Sequence, residues 1–301
     1  MSALTRLGLF AAGLVAIFSA AVGIGALFEA AATEEEGESS HAESSHAEGR
    51  PEDDSRARPG LSDGGLSIQS RSHSLNRGET GELSFRIVGP SGRAVTDFDE
   101  LHERRMHLIV VRRDGTGFRH LHPEIDRTGD WSAGVRFEQA GAHRAFADFS
   151  TGGEQHTLAV DLHVSGVESA TRPFPAPTST GSVDGYEVEL GSTALEAGHR
   201  TSLSFSVTRD GAAVDDLSPY LGAMGHLVAL REGDLAFLHV HPEEAEEGHG
   251  HAGSASGHGS PAAGEIGFAA TFPTAGRYRL YLQFRHQGAV RTVEFTVEVE
   301  R

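Results

Sequence analysis

The chain has no cysteine among its 301 residues. Disulfide staples, thiolate metal sites, haem attachment and a lipid-bearing cysteine are therefore all excluded. Lysine is absent too: every one of the 25 basic residues is arginine, the mark of a GC-rich coding bias rather than of a functional device. Methionine is scarce, with three residues against 18 histidines. A basic surplus is missing as well, since the formal net charge is −18, which repels phosphate backbones and attracts cations. Nucleic acid is not expected as a partner, whereas metal ions are. Catalytic signatures are also lacking. There is no Gly-x-Ser-x-Gly elbow and no phosphate-binding glycine loop. His102-Glu103 reaches its next histidine, His107, after three intervening residues instead of the two of the helical metalloprotease motif. The expectation is a protein that is not an enzyme.

Long apolar runs are absent except at the start, where Leu7 to Phe28 carries no charge between Arg6 and Glu29. Such a run is long enough to cross a bilayer once and exceeds the roughly 7–15 apolar residues of a signal peptide. Residues 1–29 are therefore expected to be a membrane anchor with a helix over 7–28. Arg6 on the short side places the remainder outside the cytoplasm. A cleaved, secreted form, with Ala30-Ala31-Ala32 as the cleavage site, is the alternative. Residues 30–65 are Glu, Ser, Gly, Ala and Pro with almost no aliphatic side chains, too little apolar area to order themselves. They read as a disordered acidic linker.

Beyond residue 65 the chain is duplicated. Leu83-Ser84-Phe85 matches Leu203-Ser204-Phe205, and Ala140-Gly141-Ala142-His143-Arg144 matches Ala275-Gly276-Arg277-Tyr278-Arg279. Each copy consists of short alternating runs such as Leu158-Ala159-Val160-Asp161-Leu162 and Phe295-Thr296-Val297-Glu298-Val299, punctuated by Gly and Asp at hairpin intervals. That is the pattern of an antiparallel sandwich. The predicted fold is all-β: two tandem immunoglobulin-like β-sandwiches over 66–168 and 184–301, each separately folded, joined by a stiff Pro-rich linker at 169–183.

The two copies also repeat a histidine pattern. His107 is followed by His120 and His122, and His226 by His239 and His241, with identical spacing; Pro123 and Pro242 close the motifs. A two-residue period puts side chains on one face of a strand. Asp114-Gly115 and Gly233-Asp234 read as two-residue hairpin loops, which set His107 opposite His122 and His226 opposite His241. Each copy then offers three imidazoles, the number that holds an ion while leaving a coordination position open. The same faces carry Ile109, Val111 and Phe118, or Val228, Leu230, Leu235 and Phe237, so buried histidines bonded to backbone are the competing explanation.

Two sites are expected. One is formed by His107, His120 and His122 with His102 or Met106 nearby, the other by His226, His239 and His241 with Met224. Thioether beside imidazole suits copper, especially Cu(I), with zinc the second candidate; methionine is equally an ordinary core filler. The second copy carries an insertion, residues 243–260, rich in Glu, Gly and Ser and bearing His249, His251 and His258. Its composition forbids a packed strand. Beside His241 it reads as a mobile arm that captures metal and loads the site.

A cysteine-free exported sandwich with these histidines and methionines resembles the bacterial CopC-like and YtkA-like copper-handling proteins. The stretch Leu221 to Leu230 with His239-Val240-His241-Pro242 is similar to uncharacterised membrane-anchored actinobacterial proteins with His-x-His-Pro motifs. The resemblance covers roughly residues 85–300 and implies an extracytoplasmic protein for copper sequestration or transfer, with a metal transporter or acceptor protein as partner. The alternative is a structural or adhesion module of tandem immunoglobulin-like domains on the cell surface.

Overall fold

The computed structural model describes residues 60–72, 75–191, 194–242 and 264–301; the side chains of His239 and His241 are outside that description. The expected anchor 7–28 and the insertion 243–260, with His249, His251 and His258, also lie outside the described residues. Among the described residues there is no helix, and all regular structure is strand. The alternating runs explain this. Branched and aromatic residues on one face, with polar residues on the other, can bury an apolar face only as a sheet.

The first half runs β1 (Ser62–Asp63), β2 (Leu66–Ser70), β3 (Leu75–Asn76), β4 (Thr80–Val88), β5 (His107–Arg112), β6 (Arg119–Leu121), β7 (Glu124–Ile125), β8 (Asp130–Arg136), β9 (Gly141–Thr151) and β10 (Glu154–Ser165). One sheet has the order β1-β2-β4-β8-β7 and the other β3-β10-β9-β5-β6. Strands β2-β4-β8-β7 against β10-β9-β5-β6 reproduce the strand order of an immunoglobulin-type sandwich. Leu83, Phe85, Ile87, Leu108, Val110, Trp131, Phe149 and Leu158 fill the space between the sheets. The domain begins at Ser62, inside the segment read as linker.

The second half runs β11 (Thr180–Val183), β12 (Tyr186–Gly191), β13 (Arg200–Arg209), β14 (Ala212–Ala213), β15 (Gly225–Arg231), β16 (Phe237–Pro242), β17 (Glu265–Thr271), β18 (Gly276–His286) and β19 (Ala289–Val299). Here the sheets join into one, ordered β11-β12-β13-β17-β16-β15-β18-β19. Strand β16 makes the join: its first part pairs with β15, then His241 and Pro242 pair with β17.

The two halves pack against one another. Both halves belong to one unit, Pro51–Arg301, because strand β5 is buried on both faces. Leu108 and Val110 enter the first core, while Ile109 and Val111 join Phe118, Phe146 and Ala159 in a second apolar cluster with Val228, Leu230, Leu235, Phe237 and Tyr281 of the other half. Phe118 stacks on Tyr281 at 4.2 Å, and Phe146 on Phe237 at 5.3 Å between ring centroids. The apolar faces that compete with a metal site in the sequence are thus the two sides of a seam.

The hairpin tip of the first half anchors one end of that seam. Arg112 pairs with Asp114 at 2.6 Å and donates to the carbonyls of Ser169 and Ala170. The amide of Arg172 donates to Asp114, and the Tyr281 hydroxyl donates to the Gly115 carbonyl at 2.6 Å. Burial opposes ionisation of Asp114, but the hydrogen bonds from Arg172 and Thr116 and the Arg112 charge outweigh it and hold its pKa below the usual carboxylate value. The tip is therefore wider than a two-residue loop, because its side chains hold the linker: Gly115 donates back to Arg112 and Arg112 donates to Thr116. In the second copy Arg231 donates to the Ala236 carbonyl across residues 232–235. The predicted register survives in both hairpins, with Val110 opposite Arg119 and Leu230 opposite Phe237.

Candidate metal centre

At the other end of the seam the histidines of both copies meet. Strand β5 brings His107, β6 brings His120, and β15 brings His226; one ring nitrogen from each lies within 4.8 Å of the other two. Ring centroids are 5.2 Å apart for His107 and His120, 4.6 Å for His120 and His226, and 5.6 Å for His107 and His226. Imidazoles bound to one ion at 2.0–2.1 Å in tetrahedral geometry have centroids about 5 Å apart. The cluster has that spacing. His226 can come this close because Gly225 precedes it, where a Cβ would stand 2.9 Å from Ile266 and 3.0 Å from the Gln283 carbonyl.

The hydrogen bonds select the tautomers. His107 Nε2 lies 2.8 Å from the Leu101 carbonyl, which can only accept, so His107 carries its proton on Nε2. His120 Nδ1 lies 2.6 Å from Gln283 Oε1, likewise an acceptor, so His120 carries its proton on Nδ1. The remaining nitrogens, His107 Nδ1 and His120 Nε2, face each other at 3.0 Å. A proton between them would require one ring to be cationic. Burial opposes that, with His107 adding to it, and brings the pKa of His120 down to about 3. At neutral pH two lone pairs therefore converge, an arrangement that a cation relieves.

His122 and His102 border the three. The His122 ring is 5.2 Å from His107 and 4.7 Å from His120, its Nε2 is buried without a hydrogen bond, and burial, with His107 and Arg104 adding to it, lowers its pKa to about 4. His102 is 6.1 Å from His107 and 6.3 Å from His226, half-buried at the rim. It sits in a tight turn closed by reciprocal backbone bonds between Leu101 and Arg104, and both His102 and Glu103 have left-handed φ, 50° and 62°. The second copy has the same turn at Tyr220–Ala223, with Leu221 and Gly222 as its left-handed pair.

Of the two candidate methionines, Met106 faces away from the imidazoles. Met106 is buried in the core of the first sandwich with Leu108 and Val110, because adjacent residues fall on opposite faces. Met224 is 45% exposed. His226 groups with His107 and His120 across the seam, while the side chains of His239 and His241 lie outside the described residues. In the backbone register His239 lies opposite Val228 and His241 opposite Ala269.

Two contributors escaped the sequence reading. Asp148, buried opposite His107, accepts from Thr157 and Gln155 and acts electrostatically on His120 in favour of positive charge. Gln283 lies opposite His226. Each is a polar residue set between apolar neighbours, Ala147-Asp148-Phe149 and Leu282-Gln283-Phe284, and that interruption is the signal that marks them.

Several solved structures are similar at low identity. The Escherichia coli adhesin FdeC is 14% identical over 80% of this chain and 66% of its own, slightly under two thirds of its length, with a TM-score of 0.26. A tandem pair of immunoglobulin domains from titin is 12% identical over 77% of this chain and 95% of its own, TM-score 0.19. Domains 4 and 5 of the S-layer protein SbsC are 9% identical over 78% and 98%, TM-score 0.21. Among curated proteins, none matches the sequence. A family model described as a domain of unknown function, DUF8832, matches residues 62–166 and 181–301. Those bounds coincide with the two halves, and the chain belongs to the DUF8832 family.

Proposed function

We propose that the protein is a non-catalytic, extracytoplasmic metal-binding module, tethered through its N-terminal segment, that holds one ion between its two sandwiches for sequestration or transfer. The observation that carries this reading is the convergence of His107, His120 and His226 from both copies, with His107 Nδ1 and His120 Nε2 3.0 Å apart. With Met106 turned into the core, the three grouped donors are imidazole nitrogens, which suit a divalent borderline ion, zinc or copper(II), better than Cu(I). The neighbouring Asp148 adds a negative charge. Residues 243–260 act as a weak capture arm through effective concentration, and a transporter or acceptor protein takes the ion onward.

Titration of the full chain with Zn2+ and Cu2+, followed by calorimetry, tests this. One tight equivalent per chain is expected, lost in both His120→Ala and His226→Ala, kept in His199→Ala, an exposed histidine elsewhere, and kept, with slower uptake, in a chain lacking residues 245–260. Two independent equivalents, or retention after either substitution in the cluster, defeats the shared site.

A second reading, a structural or surface module, is favoured by the seam. The ten apolar residues that close it need no ion to hold the halves together. If no stoichiometric binding occurs, this reading stands.

A further inference from the structure

The same seam contains a side chain whose placement is hard to explain by packing alone. Gln283 is 6% exposed in β18 of the second half, and its amide oxygen reaches across to His120 of the first. Its amide nitrogen donates to Thr292 Oγ1 on β19 at 3.2 Å, with the oxygen on the side of the imidazole. An apolar residue would fill the space without the cost of burying an amide.

We propose that Gln283 is a positioning residue that fixes His120 in the tautomer protonated on Nδ1, so that Nε2 presents its lone pair to the ion. This rests on the metal reading of the cluster. The chemistry is a competition. A neutral His120 protonated instead on Nε2 would donate to His107 Nδ1, and the two nitrogens that face each other would satisfy one another and leave neither open to a ligand. The Leu101 carbonyl has already fixed His107 as an acceptor at Nδ1, so nothing on the first half prevents that closed pair. The amide oxygen from the second half does. It draws the proton to the far side of His120 and leaves two acceptors facing one another, an arrangement that a metal cation stabilises. Docking of the second half therefore supplies a ligand, His226, and also sets the protonation of a ligand on the first. Only the assembled chain has the binding form.

Long-range 1H–15N spectra of the imidazoles in the metal-free full chain read the tautomer directly. The native chain should show His120 protonated on Nδ1 and His107 on Nε2. Gln283→Ala should move the His120 proton to Nε2 and weaken metal binding about 10–100-fold, the usual cost of losing an outer partner. Gln283→Glu, which keeps the acceptor, should retain the Nδ1 proton. If Gln283→Ala does not fold, Thr292→Val, which releases the amide, should give a mixed tautomer population in its place. His120 protonated on Nε2 in the native chain, or an unmoved proton in these variants, overturns the proposal. A proton that moves as expected in a chain that binds no ion sinks the metal reading and leaves the tautomer assignment intact, so the two failures are told apart.

Discussion

At the scale of single residues, five imidazoles share one small volume, and their ionisation is the main liability of the fold. His120 and His122 have pKa values near 3 and 4 in the folded chain, against about 6.5 when unfolded. Because the folded values are depressed, the unfolded state takes up protons first as pH falls. Their stabilising contribution is fully present above about pH 6.5 and is lost between there and pH 3–4, at up to about 1.4 kcal/mol per pH unit for His120 and less for the partly exposed His122. Urea unfolding of the metal-free chain from pH 8 to pH 4 should show this decline. His120→Ala with His122→Ala should flatten it. A native chain with constant stability over that range would mean the rings are solvated.

At the scale of elements, the turn at Leu101–Arg104 stands out. Two residues with side chains occupy left-handed backbone there, where the other copy uses Gly222 for the second. Left-handed backbone costs a residue with Cβ roughly 1 kcal/mol or more. Glu103→Gly should therefore stabilise the chain by about 0.5–1 kcal/mol, partly offset by the freedom glycine adds to the unfolded state; a loss of stability in denaturant titration would show that the Glu103 side chain has a packing role.

The turn also illustrates what the sequence discloses. Strand pattern, hairpin register and shared face follow from the alternation around His107 and His120, because period and turn chemistry are local. The loop length at Asp114 does not, since Arg112 and Asp114 are engaged by a linker 58 residues away in the chain. Nor does the sharing of His226, because a repeat read one copy at a time gives no sign that its apolar outer face belongs against its twin. The core position of Met106 follows from alternation, yet its adjacency to His107 suggests the opposite.

At the scale of the molecule, the seam is closed at one end by the linker and hairpin tip and at the other by the histidines, with Ile109 and Val111 on β5 between them. Either half alone would present its side to water. Residues 60–172 expressed separately should expose Ile109, Val111, Phe118 and Phe146, an apolar patch that seeks a partner. Since the two halves meet through equivalent strands, the available partner is a second copy of the fragment related by a two-fold axis. Sedimentation should find a dimer, and Phe146→Asp should make it monomeric. A monomeric parent fragment would mean that the two faces had diverged beyond self-recognition.

Fusing the two copies in one polypeptide also has a genetic consequence. In a two-fold dimer every substitution in the face appears twice, once on each side of the axis, so a ligand and its supporting groups cannot be chosen separately. In tandem each position mutates alone. His102 in one turn and Leu221 in the other, or Arg105 in one copy and Met224 in its twin, are differences that only a broken symmetry permits. An off-axis cluster, with two imidazoles from one side, one from the other and an amide to orient them, is what such freedom makes available.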